Sequence, residues 1–240
     1  QPRPLAYPPT VAKSSNFPSQ AKNTLKFTLM TPLHLSLFGP FQVTFANQPI
    51  THFPTDKVRA LLAYLALEAR NPIRRETLAT LLWPDYPNEI ALRNLRQNLH
   101  RLKQTLATAS PKLAEQLFNT SRATIQLNTN QLTLDVAEFQ AALTTVENHA
   151  HRQLHTCPTC RATLTHAASL IRGDLLTGFS LPDAPLFDEW LTIQRERLHY
   201  QALQVLHNLA EIHLYHHQYD LAHTYATHQI ALEPWREEAH

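Results

Sequence analysis

A segment between residues 88 and 106 places cationic and amide side chains together on one side of a predicted helix. At 100° per residue, that side holds Arg93, Gln97, His100 and Gln104 at its centre, Arg96 and Arg101 at its flanks, and Lys103 and Gln104 towards its C-terminal end. Arginine can pair with guanine, and glutamine with adenine, through two hydrogen bonds, and each pair discriminates between bases by about 1–3 kcal/mol. The segment is therefore a candidate reader of the DNA major groove, with a solvated amphipathic helix as the alternative.

The other side of the same helix carries an apolar stripe that must face a core. Leucines recur at alternating spacings of three and four, which is the period of an α-helix: Leu92, Leu95, Leu99, Leu102 and Leu106. A shorter helix over Arg75–Trp83 precedes it and is ended by Pro84, and Asn88 is the expected N-cap of the long helix. An earlier helix is predicted over residues 55–69, with Thr55 as its N-cap.

Short strands are predicted on both sides of these helices. Leu33–Phe38 and Phe41–Phe45 alternate in polarity around a Gly-Pro turn, and Ile50–Phe53 is a short third strand. Three more are expected after the long helix: Phe118–Ser121, Thr124–Leu127 and Leu132–Asp135. A hairpin there is a wing, and Arg122 at its tip is either a contact to a phosphate or the minor groove, or a solvated turn residue. Cations at the helix starts are expected to contact phosphates: Lys57, Arg59, Arg74 and Arg75.

The composition excludes several other classes of function. Glycine is scarce, with 3 residues, and neither GxGxxG nor GxxxxGK[ST] occurs, so no Gly-rich phosphate loop is expected. No serine or cysteine nucleophile is paired with a base at a recognisable spacing. No apolar run is long enough to span a bilayer, and two cysteines fit a reducing cytoplasm. We therefore predict a cytoplasmic protein that is not an enzyme, uses no cofactor and makes no membrane contact.

The net charge of +2 conceals an asymmetry along the chain. Residues 1–180 hold 18 basic and 10 acidic residues, a net charge of +8, whereas residues 181–240 hold three arginines and nine acidic residues, a net charge of −6. A basic front and an acidic rear suggest that only the front meets a polyanion. Residues 1–31 are rich in proline and polar residues and are predicted to form a disordered arm.

From residue 136 onward the pattern is almost wholly helical. Between Leu203 and Arg236 the spacing fits one 34-residue tetratricopeptide unit, through Leu206, Leu209, Ala210, Tyr219, Ala222 and Pro234. His213 and Gln229 depart from that consensus. One such unit cannot bury its own faces, so partner helices are expected upstream or beyond His240.

One segment, HAHRQLHTCPTC from His149 to Cys160, has the residue types of a metal site. Cys157 and Cys160 have the Cys-x2-Cys spacing of a zinc half-site, and His151 and His155 can share a helix face with each other. The sequence holds no distant second half-site. A zinc site, a redox thiol pair and a packed helical junction therefore remain open.

The order of strands, helix, helix-turn-long helix and wing resembles the OmpR/PhoB type of winged helix. Four segments, LSLFGPFQV, KVRALLAYLAL, RRETLATLLWPD and ALRNLRQNLHRLKQTL, resemble the DNA-binding half of antibiotic-regulator (SARP) type bacterial activators. Two further segments and the repeat unit that follows them are similar to the bacterial transcriptional activator domain of that family. The segments are LDVAEF and GDLLTGFSLPDAPLFDEWLTIQRERL. The chain departs from the family at Arg74, where a Ser or Thr cap is frequent.

The resemblance implies a mainly α fold with a small β part. A winged helix-turn-helix domain over residues 32–135 has an N-terminal β-sheet, three helices and a β-hairpin wing, and an all-α, tetratricopeptide-like activator domain over residues 136–240 continues beyond the chain end. The implied function is a cytoplasmic, nucleoid-associated transcription activator that binds double-stranded DNA. Its helical domain would serve dimerisation, RNA polymerase contact or signal coupling.

Two alternatives remain beside that function. The first is a helical-repeat scaffold whose winged helix binds protein rather than DNA. The second is a zinc- or thiol-based sensor centred on Cys157 and Cys160.

Overall fold

The computed structural model describes residues 32–150 and 153–233, so the predicted arm over residues 1–31, His151 and Pro234 lie outside the described residues. The strands are β1 (Leu33–Ser36), β2 (Gln42–Phe45), β3 (Gln48–Pro49), β4 (Ile73–Arg74), β5 (Phe118–Thr120), β6 (Thr124–Leu127) and β7 (Leu132–Leu134). The helices are α1 (Asp56–Leu67), α2 (Arg75–Leu82), α3 (Asn88–Ala109), α4 (Pro111–Gln116), α5 (Asp135–Asn148), α6 (Pro158–Leu170), α7 (Pro185–Tyr215) and α8 (Tyr219–Leu232). Single 3-10 turns cover Thr129–Gln131 and Leu154–Thr156.

The first sheet has the strand order β3-β2-β1-β7. β1 and β2 pair antiparallel, as the alternating sequence predicts, and their turn contains Gly39 with a φ of 91°. β7 then returns to pair parallel with β1, so the predicted strand at residues 132–135 belongs to this sheet and not to the wing. The predicted strand at Ile50–Phe53 is wrong: β3 lies just before it, and Phe53 is buried with its ring edge-on to Phe41 at 5.2 Å.

The helix-turn-helix consists of α2 and α3 packed on α1. Four of the five stripe leucines of α3 are buried, and Leu92 is half-buried, so the apolar period correctly predicts the buried face. The caps differ from the prediction, because Pro87 occupies the N-cap of α3 and Asn88 lies in its first turn. Thr55 does occupy the N-cap of α1, but its hydroxyl donates to Asn98 Oδ1 at 3.3 Å and caps no backbone amide.

The wing is a three-stranded sheet with the order β4-β6-β5. β5 and β6 form the predicted hairpin, and the unpredicted strand β4, directly before α2, pairs with β6 through Ile73 and Ile125. Ser121 holds the turn, because its Oγ accepts hydrogen bonds from the amides of Ala123 and Thr124 at 3.1 and 2.9 Å. The wing is therefore attached to the start of α2 and does not project as an isolated hairpin.

Asp135 joins the winged helix to the helical part of the chain. Its carboxylate, 9% exposed, accepts hydrogen bonds from the amides of Leu37, Phe38 and Val136 at 2.8–2.9 Å. Arg172 lies 3.7 Å from the same group. Burial raises the pKa of the Asp135 carboxyl, and the three amides and Arg172 offset part of that increase. One buried anion thus fixes the end of β1 against the start of α5.

A second connection runs through the loop after α6. The amide of Gly39 donates to Asp174 O at 2.9 Å, and the amide of Leu176 donates to Leu37 O at 2.8 Å. Leu175 and Leu176 are buried in the cluster that also contains Leu37 and Phe38. The hydrophobic core is consequently continuous from the first sheet into the helices that follow residue 135.

From residue 136 onward the described part of the chain is almost wholly helical, as predicted, apart from isolated β-bridges of Leu175 to Phe38 and Gly39. α5 packs on α6, and the long helix α7 continues into a tight turn and α8. Four aliphatic positions of the repeat unit are buried, Leu206, Leu209, Ala210 and Ala222, whereas Tyr219 is 63% exposed. The departure from the consensus at His213 is accommodated, because its Nδ1 pairs with Gln218 Oε1 at 2.7 Å and its ring stacks on Tyr225 at 5.4 Å. The predicted fold class is confirmed.

Candidate nucleic-acid interface

A groove of about 540 Å³ lies between α3, the start of α2 and the wing. We call it the basic groove; its charged and imidazole side chains are Arg75, Glu76, Arg96, His100, Lys103 and Arg122. Four cations and one carboxylate give this lining a charge of +3 with His100 neutral. Three separate elements therefore direct positive charge into one concave surface, which a solvated helix alone would not do.

The exposed face of α3 borders this groove. Four polar side chains share one face of this helix, because they follow one another at spacings of three, one and three residues. They are Arg93, Arg96, Gln97 and His100, and all four are exposed. The guanidinium of Arg96 donates through Nε to Leu92 O at 3.3 Å, which leaves its terminal nitrogens for other acceptors. Within residues 32–150 and 153–233, no carboxylate forms an ion pair with Arg93, Arg96 or Arg122.

Two of the predicted contacts on α3 lie elsewhere. Arg101, half-buried, and Gln104, exposed, line a separate depression of about 520 Å³ with Ile50, Thr51 and His52, next to the first sheet. Of the α3 residues singled out from the sequence, Arg96, His100 and Lys103 line the basic groove beside the wing. Arg93 and Gln97 are exposed but line neither depression.

The cations at the start of α2 differ in their surroundings. Arg75 donates from Nε to Ser121 O at 3.1 Å, and its amide donates to Ala123 O at 2.8 Å, so this residue attaches the wing to α2 while lining the basic groove. Arg74 is exposed, and its Nε lies 3.6 Å from Glu76 Oε2. No side chain caps α2, consistent with the absence of a Ser or Thr at Arg74.

Lys103 and Arg122 complete the groove from opposite sides. The ammonium of Lys103 lies 5.4 Å from the centre of the Phe118 ring, a cation–π distance that holds the charge beside the wing. Arg122 is exposed in the turn that Ser121 stabilises, as the sequence predicts.

Lys57 requires a correction. Its side chain is only 13% exposed, and its Nζ donates to Leu82 O, lies 3.0 Å from Asp183 Oδ2 and sits 5.3 Å from the Trp83 ring centre. The ammonium is therefore engaged within the protein, where it connects α1, the end of α2 and the segment before α7. We remove Lys57 from the set of expected phosphate contacts.

Replacing Lys57 with alanine is expected to lower the free energy of unfolding by about 1–3 kcal/mol, since a buried carbonyl loses a charged donor. The salt dependence of DNA affinity should not change. Urea denaturation and binding titrations at several salt concentrations measure the two effects. Lys112→Ala is the matched control, because Lys112 is an exposed lysine that does not line the basic groove. A shallower salt slope for Lys57→Ala than for the control would restore Lys57 as a phosphate contact.

The candidate metal ligands are rearranged relative to the prediction. His149, Cys157 and Cys160 converge, whereas the His155 ring lies against Tyr215 at a centroid distance of 5.7 Å. His151 lies outside the described residues. Of the histidines that this segment offers as ligands, His149 is the one brought to the cysteines, whereas His155 lies away from them against Tyr215. The amide of Cys160 lowers the pKa of the Cys157 thiol, and burial raises the pKa of Cys160 to about 11.

Comparison with known families agrees with this architecture. Residues 134–240 match the family model described as the bacterial transcriptional activator domain. The resemblance seen in LDVAEF and the segments after it is thereby confirmed, and the match begins at Leu134, the last residue of β7.

Among solved structures, the chain is similar to Mycobacterium tuberculosis EmbR in complex with a low affinity phosphopeptide. The two share 21% identity with a TM-score of 0.65, over 87% of this chain and 52% of the EmbR chain. The chain thus spans about half the length of that relative, and the similarity supports the winged-helix fold ahead of the activator domain. A search of curated proteins finds no match. In the part of the chain that the structure describes, no helix is long and apolar enough to cross a membrane.

Proposed function

We propose that the chain is a sequence-specific DNA-binding transcription activator, with a winged-helix domain over residues 32–135 and the activator domain over residues 136–240. The observation that carries the proposal is the basic groove, in which α3, the start of α2 and the wing place four cations around one concave surface. A single amphipathic helix has no reason to gather cations from three elements, whereas a polyanion lying across them explains the arrangement.

In this proposal α3 enters the major groove of double-stranded DNA. A helix of 22 residues is about 33 Å long, and the major groove is about 12 Å wide, enough to admit it. Arg93, Arg96, Gln97 and His100 then face base edges, because they are exposed on one face of α3 and two of them, Arg96 and His100, line the basic groove. The base preference follows from which of these side chains reaches which base.

The remaining cations contact the DNA backbone. Arg75 and Lys103 line the basic groove and bind phosphates, as does the exposed Arg74 at the start of α2, and Arg122 at the wing tip contacts a phosphate or the minor groove. Arg101 and Gln104 line the other side of α3, where they contact the backbone strand that passes the first sheet. Phosphate contacts fix the register of the protein on the duplex, and the base-facing residues supply the sequence preference.

The activator domain serves assembly in this proposal. Three exposed apolar side chains, Leu186, Ile193 and Tyr200, recur at seven-residue spacing along α7. A repeat of seven is the spacing at which two helices keep a common contact line, which supports a homodimer through this helix. RNA polymerase contact and signal coupling are further proposals for the same domain, whose acidic character keeps it away from DNA.

A binding selection on random duplexes tests the proposal. We expect an enriched motif, and an affinity for that motif that falls steeply between about 50 and 200 mM salt as phosphate contacts release counterions. If no motif is enriched and binding is weak and insensitive to salt, the winged helix is a protein-binding surface and the chain is a scaffold. Repeating the selection after removal of residues 1–31 shows whether the arm alters the motif.

Arg122→Ala is expected to weaken binding to selected and unselected duplexes alike, and to reduce the slope of log affinity against log salt by about one. The reason is that a wing-tip cation adds a phosphate or minor-groove contact with little base preference. Fluorescence anisotropy at several salt concentrations measures both quantities. Thermal stability should be unchanged, because Arg122 is exposed. An unchanged affinity and slope would show that Arg122 is only a solvated turn residue.

A further inference from the structure

Three ligand atoms of the kind that bind zinc converge at the junction of α5 and α6. The Nδ1 of His149 lies 3.5 Å from Cys157 Sγ and 3.2 Å from Cys160 Sγ, and all three atoms lie within 4.8 Å of one another. We propose that His149, Cys157 and Cys160 bind a zinc ion. This site is separate from the DNA-binding surface and does not depend on the proposed function.

The distances fit the coordination sphere of zinc. Zinc binds sulfur at about 2.3 Å and histidine nitrogen at about 2.0–2.1 Å in a tetrahedron, which separates a sulfur from a nitrogen ligand by about 3.6 Å. The two measured nitrogen–sulfur distances, 3.5 and 3.2 Å, need only a small outward movement of the Cys160 sulfur to reach that value. Two thiolates and one imidazole are also a donor set that zinc prefers over magnesium or calcium.

The backbone prearranges these ligands. His149 is the residue that ends α5, Cys157 is the N-cap of α6, and Cys160 lies in the first turn of the same helix. The amide of Cys160 donates to Cys157 Sγ at 3.5 Å, an outer-shell hydrogen bond of the type that supports a metal-bound sulfur. Cys160 is buried, while His149 and Cys157 are partly exposed, so an ion can enter from the His149 side.

A thiol pair serving redox chemistry explains less of this geometry. A disulfide joins the two sulfurs directly at about 2.05 Å and needs no imidazole. Here a single histidine nitrogen approaches both sulfurs, as it does when all three surround a common point. Among the described residues three protein ligands converge, and a fourth ligand would complete the tetrahedron that zinc prefers.

The site connects the α5–α6 junction to the repeat unit. Between His149 and Cys157 the chain passes through the 3-10 turn at Leu154–Thr156, where His155 O pairs with His216 Nε2 at 2.8 Å and the His155 ring lies beside Tyr215. Tyr215 and His216 are at the end of α7. An ion that fixes both ends of this connection therefore also orders the surface on which the end of α7 rests.

Metal analysis of the full chain tests the proposal. The protein is purified under reducing conditions, equilibrated with zinc and then dialysed. We expect about one zinc ion per chain in the wild type and close to none in Cys157→Ser/Cys160→Ser or in His149→Ala. His155→Ala is the matched control, a histidine of the same segment whose ring lies outside the cluster, and it should keep the wild-type content. Equal zinc content in all four proteins, or none in the wild type, overturns the proposal.

A second measurement on the wild-type chain does not depend on the folding of any variant. Cobalt added to the reduced protein should give the near-ultraviolet charge-transfer band of thiolate ligation and the visible bands of a tetrahedral site, and zinc should abolish both. If cobalt gives no such bands and mild oxidation instead joins Cys157 to Cys160 with loss of two hydrogens, the pair is a redox pair and the zinc site is wrong.

Discussion

Replacing Arg93 and Arg96 together with alanine is expected to reduce affinity for the selected duplex by at least about thirtyfold. Each bidentate arginine–guanine pair contributes about 1–3 kcal/mol of discrimination, and a tenfold change in affinity corresponds to about 1.4 kcal/mol. Affinity for unselected DNA should fall much less, so the sequence preference should largely disappear. Anisotropy titrations with both duplexes at one salt concentration provide the comparison.

The control for this pair removes the same charge from the activator domain. Arg161→Ala/Arg197→Ala replaces two arginines of α6 and α7 that lie outside the basic groove. Both double variants should unfold at the wild-type temperature, since Arg93 and Arg96 are exposed. If the control loses as much affinity as Arg93→Ala/Arg96→Ala, net charge and not the face of α3 governs binding.

Replacing Asp135 with asparagine is expected to lower the free energy of unfolding by about 2–4 kcal/mol at neutral pH. The amides of Leu37, Phe38 and Val136 point at the two carboxylate oxygens, and the amide nitrogen of asparagine would face one or more of them as a donor. Because asparagine has nearly the same shape, the loss reports the hydrogen bonds and not a cavity. Urea denaturation measures it, with Glu138→Gln on the same helix as control.

The free energies of unfolding of the wild type and of Asp135→Asn, measured as a function of pH, give a second test. Burial raises the pKa of Asp135 above its ordinary value of 3.8, so the folded state binds the proton more tightly than the unfolded state. The contribution of the Asp135 carboxyl to the free energy of unfolding is therefore highest below pH 3.8. It declines as the pH rises through the pKa of this group in the folded protein. Asp135→Asn should lack this decline, and the stability deficit of the variant should narrow as the pH increases. A deficit that widens with pH would contradict the assigned direction.

The helices and their buried faces could be predicted from the sequence because they depend on local periodicity. The stripe from Leu95 to Leu106 alternates in threes and fours, and any α-helix with that pattern must bury it. Helix ends were less predictable. Pro87 occupies the N-cap of α3 instead of Asn88, and no side chain caps this helix, so capping propensity alone did not locate its first residue.

The pairing of strands could not be predicted in the same way. Leu132–Leu134 has a strand pattern, but the sequence does not state whether its partner is the neighbouring hairpin or the first strand of the chain. β4, with two residues, is too short to have a pattern of its own, and only its pairing with β6 makes it a strand. Pairing between distant segments is decided by which edges remain free when the helices have packed.

The sequence by itself determined that residues 93–100 place arginine, glutamine and histidine on one helical face opposite a leucine stripe, and that a mainly helical segment follows residue 135. Tertiary structure decided which cations are available to a ligand. Arg75 and Arg122 line the basic groove beside α3, whereas Lys57, equally cationic in the sequence, is held by Leu82 O and Asp183. The physical reason is that a helix period fixes the direction of a side chain relative to its own axis, whereas its burial and its partners depend on segments folded against it from elsewhere in the chain.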